Sequence, residues 1–351
     1  MQDPTIAEIN QSSESGALPK AMQGKFLQLR NTIMASAMPG KPKPDMLPDE
    51  WNEHEQDLVN MFFTENVPQW FQNNPHPNGE APTMTASDCD RTAQLLMSAP
   101  VVRSEKQGHS SYTLVCPERN KVIQYRVEEL NLELIEKARH IWGDLVPKTQ
   151  FVKESPLPLY FFDIISGQIH SSLEITRAAF PLEREKRTVI DVAKFIAKAI
   201  HFPNAISCIG KDSMEENLYR LMQNASLKRI NPEIHAEITR LHSKLHLLET
   251  VPAVLTHPAP VPRNIFVDSI GALTGVIGFE DASIQIFGSN IFALYESFFG
   301  RLENGVWSLY DMPAGDKYPG KSVYDVLAAA FWEALVAGVA PVLTMEEHHE
   351  A

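Results

Sequence analysis

LTHPAPVPRNIFVD, residues 255–268, puts His257 next to a run in which Pro258, Pro260 and Pro262 alternate with Ala259 and Val261. Each proline fixes its own φ and removes a backbone donor, so the run reads as a stiff loop and not as a helix or strand. It sits between two apolar runs, AVLT and IFV, which read as strands. Asn264 closes the loop seven positions after the histidine, and no acidic residue stands between them. The pattern is that of an active-site loop without its charged chemistry.

The rest of the chain limits what such a loop can serve. The chain has 351 residues, 44% apolar and 21% charged, the composition of a soluble globular protein. Acidic residues outnumber basic ones by 44 to 31, for a net charge of −13. That field repels phosphate backbones and anionic lipid, so neither nucleic acid nor a membrane surface is expected as a partner. Three cysteines without motif spacing fit a reducing, cytoplasmic setting and offer no zinc site. The N-terminus has no basic start followed by an apolar run, so no secretory signal is read there. The apolar stretch 323–343 is interrupted by Asp325 and Glu333 and reads as a buried C-terminal helix, not a membrane span.

Three regions are expected: a tail with a proline-rich linker over 1–48, a small lobe with N-terminal helices over 49–163, and a helical large lobe over 164–345. In the small lobe, EWNEHEQDLVNMFF and ASDCDRTAQLLMSA read as helices, the first with Trp51, Leu58, Met61 and Phe62 on one face. SSYTLVC and KVIQYRV, separated by the turn-rich PERN, predict a hairpin. A helix through EELNLELIEKARHIW stops at Gly143, and LPLYFFDII is a further strand. Beyond Ser171 the pattern turns helical: REKRTVIDVAKFIAKAIHF, SMEENLYRLMQNAS and NPEIHAEITRLHSKLHLL precede the 255–268 loop. The strand TGVIGF and helices through NIFALYESFF and VYDVLAAAFWEAL follow it.

In this order the segments resemble the aminoglycoside phosphotransferase family, with a more distant likeness to the choline kinases. QGHSSYTLV stands as the nucleotide-covering hairpin, VIQYR as the next strand and EKARHIWGDLVPK as a glutamate-bearing helix. YFFDIISG stands as the inter-lobe connection, LTHPAPVPRNIFVD as the catalytic loop and LTGVIGFEDASIQIFG as the metal-binding strand. The resemblance implies an α+β, two-lobed, protein-kinase-like fold. It also implies a loop aspartate as base, an asparagine and a second aspartate for Mg²⁺, and a small-lobe cation paired with a helix glutamate. In this chain His257 and Asn264 match the loop histidine and asparagine. Pro258 and Ala259 replace the glycine and the base, and Gly278 and Phe279 replace the second aspartate and its aromatic neighbour. Gln124 or Arg126 could face Glu136.

Losing a general base costs ~10²–10⁴ in rate, and Mg²⁺ relies on carboxylate anchors, so no nucleotide or metal cofactor is expected. The expectation is a cleft made apolar by paired deletions, binding a hydrophobic small-molecule substrate. Its walls would come from Tyr160, Phe162, Pro258, Ala259, Val261, Gly278 and Phe279, with Arg126, Glu136, Asn264 and Glu280 beside them, Ile286 as a further wall position and Phe287 read as core rather than wall. His257 and Asp281 are the candidate catalytic groups. The function expected is a metal- and ATP-independent cyclase or isomerase of natural-product biosynthesis. The alternatives are a non-catalytic binding or regulatory pseudokinase and a residual kinase. His242 and His246, four apart on a helix, read as solvated residues and not as a metal site.

Overall fold

The computed structural model describes residues 48–75, 84–153, 155–173, 175–203, 211–246, 251–303 and 306–340. The expected tail before residue 48, Cys208 and the end of the 323–343 run lie outside the described residues. The chain is mixed α+β and divides into two compact units. The smaller holds the described residues up to Arg139 and Val146–Ile165; the larger holds His140–Leu145 and the chain from Ser166 onward.

The smaller unit is built on an antiparallel sheet of β1 (Val102–Arg103), β2 (Ser111–Cys116), β3 (Lys121–Arg126), β4 (Thr149–Val152) and β5 (Leu159–Asp163), in the order β1-β2-β3-β5-β4. The predicted hairpin is β2–β3, with Leu114 opposite Ile123 and Tyr112 opposite Tyr125. Its connection is a 3₁₀ turn, Pro117–Arg119, closed by Asn120 at φ +52°, a left-handed position that asparagine tolerates. Alternation puts Tyr112, Leu114 and Cys116 on one face of β2, all buried.

Against that face pack α1 (Pro48–Met61), a π-helical turn (Phe62–Asn66), α2 (Val67–Asn73) and α3 (Ala86–Met97), through Val59, Phe62, Phe71, Cys89 and Ala93. In α1 the burial falls on Val59, while Leu58 and Met61 of the expected face are half-buried. Two tyrosines in this core keep a partner for each hydroxyl: Tyr112 donates to Asp90 at 2.7 Å and Tyr125 to the Cys89 carbonyl at 3.0 Å. The helix α4 (Leu132–Trp142) ends where expected, with Gly143 at φ +64°.

The larger unit is organised by α5 (Leu182–Lys198) and α10 (Val323–Val339), which pack on each other. Asp325, one of the acids that interrupts the apolar run, completes a capping box: Ser322 donates to it through N at 2.9 Å and Oγ at 2.7 Å. Among the described residues no helix is long and apolar enough to cross a membrane. The two helices approach closely at Gly338, where an added Cβ would lie 2.5 Å from the Ala197 Cβ. Gly338→Leu is therefore expected to cost ~1–3 kcal/mol in urea denaturation, the usual range for overpacking.

Helices α6 (Lys211–Met222), α7 (Ala225–Ile230) and α8 (Pro232–Ser243) follow α5. Three small sheets complete the unit. Strand β6 (Gln168–Ile169) pairs with β8 (Ile265–Val267), which pairs with β9 (Leu273–Val276). Strand β7 (Ala253–Thr256) pairs with β10 (Ser283–Ile286), and after α9 (Phe292–Ser297) β11 (Gly300–Glu303) pairs with β12 (Val306–Leu309).

Candidate functional site

His257 follows β7 directly, and a 3₁₀ turn, Pro262–Asn264, leads into β8. The loop is braced by its own backbone: Val261 N donates to Ala259 O at 2.8 Å and Asn264 N to Val261 O at 2.9 Å. The β8–β9 hairpin carries residues 277–279 back to this loop, and Ile277 N donates to Asn264 O at 2.9 Å. The loop and the segment 277–279 therefore meet.

They meet at Asn264. Its Nδ2 donates to Ala259 O at 2.9 Å. Gly278 lies directly against the same amide: a Cβ there would stand 3.2 Å from Nδ2 and 3.4 Å from Oδ1. Gly278 also has φ +90°, a conformation that side chains rarely adopt. The glycine thus meets two local demands, a left-handed backbone and close packing against the asparagine.

His257 is fully buried. Its Nε2–H donates to Ile277 O at 2.8 Å, and its Nδ1 accepts from the Ala259 N–H at 3.1 Å. This pair of bonds defines a neutral ring with the proton on Nε2. Burial pushes its pKa down to about 4, against a smaller opposing effect of the Ile277 bond. Both nitrogens are engaged by backbone, so the ring organises the loop and presents no free nitrogen to a ligand. Asn290, also buried, donates to His257 O at 3.2 Å and fixes the same residue from the segment after β10.

Phe279 is 4% exposed and sits among other rings of the larger unit. It packs edge-on to His257 with ring centroids 4.7 Å apart, and lies 5.5 Å from Trp142 and 6.5 Å from Phe195. Apolar character and position explain both the sequence expectation and this outcome: the ring is wanted by the core formed with α5 and the end of α4. Ile286, expected beside it, is likewise buried. The loop surface consists of exposed Pro258 and Arg263 with half-buried Ala259, Val261, Asn264 and Gly278. Glu280 and Asp281 are exposed on the turn that follows, closed by Ala282 N donating to Phe279 O at 3.1 Å.

The remaining candidates belong to the smaller unit. Tyr160 is 2% exposed, and its hydroxyl accepts from Leu130 N at 2.9 Å. Burial holds its pKa above the usual tyrosine value. Phe162 is half-buried on β5, and Glu136 is exposed on α4. Arg126 is buried and donates to Gln124 at 2.8 Å.

A small cleft, partly open to solvent, lies beside His257 and is lined by Trp142, Phe195, Val254, Phe287 and Asn290, with about 10 Å³ open to the centre of a water molecule. That is room for about one water molecule. One supporting pair carries no sequence signal: buried His170 and Glu185 meet at 2.7 Å, and Arg184 Nε donates to the second Glu185 oxygen at 3.1 Å. The 3₁₀ turn that begins at His170 packs on the turn Pro262–Asn264.

No protein-family model matches the sequence, and no curated protein matches it. Among solved structures the chain is similar to a glucosamine kinase, at 11% identity over 73% of each chain and a TM-score of 0.47. It is also similar to an aminoglycoside phosphotransferase solved with GDP, at 15% identity over 71% of this chain and 86% of the other, TM-score 0.43. A third likeness is to a choline/ethanolamine kinase family protein from Mesorhizobium loti, at 12% identity over 67% and 70%, TM-score 0.41. At these identities and scores the likeness assigns no substrate or reaction.

Proposed function

We propose that this chain is a phosphotransferase-like scaffold that transfers no phosphate and acts as a binding module, its loop 258–264 contacting a weakly polar small molecule. The observation that carries this reading is the closure of Asn264 onto Ala259 O and against Gly278. The amide that the resemblance would assign to Mg²⁺ is bonded to the loop itself, at a place where neither neighbour is a carboxylate. Phosphoryl transfer depends on charge neutralisation and positioning, and this loop supplies neither a base nor an anionic metal ligand. Its accessible groups near Asn264 include Pro258, Ala259 and Val261, which suit an apolar ligand face.

A second reading, a metal- and ATP-independent cyclase or isomerase, is favoured by the bracing of the loop. A stiff, weakly polar wall is what a rearrangement run by shape alone requires. It would have to proceed without His257 as acid or base.

A thermal-shift series on the full chain tests the proposal. ATP with Mg²⁺ is expected to raise the melting temperature no further than ATP alone, while members of a lipophilic panel raise it. A Mg²⁺-dependent rise with ATP would sink the reading in favour of the residual kinase. Gly278→Asp is expected to lower stability by ~1–3 kcal/mol, because it puts a side chain on a left-handed backbone against Asn264. Urea denaturation measures this loss.

A further inference from the structure

The loop 104–110 of the smaller unit is held by side chains from outside it. The Gln107 N–H donates to Glu55 Oε2 at 2.6 Å, and the Lys106 ammonium lies 3.8 Å from the other oxygen of the same carboxylate. Glu55 is on α1, its side chain only 15% exposed. Asn66, at the end of the π-helical turn, donates to His109 O at 2.7 Å. Within the loop, the Gln107 side chain donates to Ser104 O at 2.8 Å and Thr113 O at 3.0 Å, and accepts from Thr113 N at 2.9 Å.

The Gln107 N–H bond to the Glu55 carboxylate is charge-assisted, while the half-exposed Lys106 ammonium at 3.8 Å adds a screened attraction to the same group. Here the anion is supplied by the chain, from a position 52 residues earlier. We propose that Glu55 is a built-in pseudo-ligand: its carboxylate fills the anion position on loop 104–110 and closes it to an external anionic group. Asn66 and the Gln107 side chain hold the loop in the conformation that accepts it. The device concerns the smaller unit alone and stands whether or not loop 258–264 binds a ligand.

Amide hydrogen exchange on the full chain, read residue by residue, tests it with pyrophosphate as the probe. In the unaltered protein the Gln107 amide is expected to exchange slowly and to be unaffected by millimolar pyrophosphate. In Glu55→Ala it is expected to exchange about tenfold faster, a local opening, and to be slowed again by pyrophosphate, while Leu114 and Ile123 in the sheet stay unchanged. Glu55→Gln, which keeps an acceptor and removes the charge, serves as the milder second variant and is expected to admit pyrophosphate as well. The proposal is overturned by any of four results. These are unchanged Gln107 exchange in Glu55→Ala, equal acceleration of the sheet amides, a freed loop that pyrophosphate leaves untouched in both variants, or pyrophosphate protection already present in the unaltered protein.

Discussion

Phe279→Ala is expected to lower the unfolding free energy of the larger unit by about 3–5 kcal/mol, the range for removing a large aromatic from a packed core. The ring is 4% exposed and contacts His257, Trp142 and Phe195, so truncation leaves a void whose walls are other rings. If Phe279 lined a ligand cleft, the same change would cost little stability and would instead weaken ligand binding. Urea denaturation separates the two. Half-buried Phe162, truncated in parallel, is the comparison. A loss at Phe279 below about 1.5 kcal/mol would restore it to the list of wall residues, since core phenylalanines lose more than that.

A second large effect is expected from acid. His257 is neutral in the fold, with its pKa pushed down to about 4 by burial, whereas in the unfolded chain the ring titrates near its ordinary value of 6.5. Protonation therefore favours the unfolded chain. The contribution of this residue is complete above pH 6.5 and is lost progressively as pH falls from 6.5 to about 4. Over that window the loss amounts to roughly 3 kcal/mol. His257→Gln removes the titrating group and keeps a donor for Ile277 O, so its stability is expected to be flatter between those pH values. A variant whose pH dependence matches that of the unaltered protein would show that acid acts elsewhere.

Local elements of this fold were legible in the sequence, and long-range ones were not. The β2–β3 hairpin could be read because Tyr112, Leu114 and Cys116 alternate and PERN marks the turn. The end of α4 could be read because a glycine accepts the left-handed position at 143. Strand β4 escaped notice because TQFV is mostly surface residues whose register is set only by pairing with β5. The β11–β12 pair carried a hairpin signal, Asn304–Gly305 between two runs, which the helical reading of its surroundings obscured.

In the candidate site, the order of loop, strand and Gly278 followed from the chain. The burial of His257 and Phe279 did not, because it depends on Trp142 and Phe195, brought from far away in sequence. The apolar wall expected at Phe279 and Ile286 is instead interior. The role of Gly278 was hidden for a related reason. A glycine is visible in a sequence, but its φ is not.

That backbone limits what position 278 can become. At φ +90° and in contact with Asn264, position 278 accepts glycine without strain and taxes any other residue. An acid placed there would meet that misfit first, with its side chain against the Asn264 amide. Change in this region is therefore easier at the exposed positions Pro258 and Arg263 than at 278.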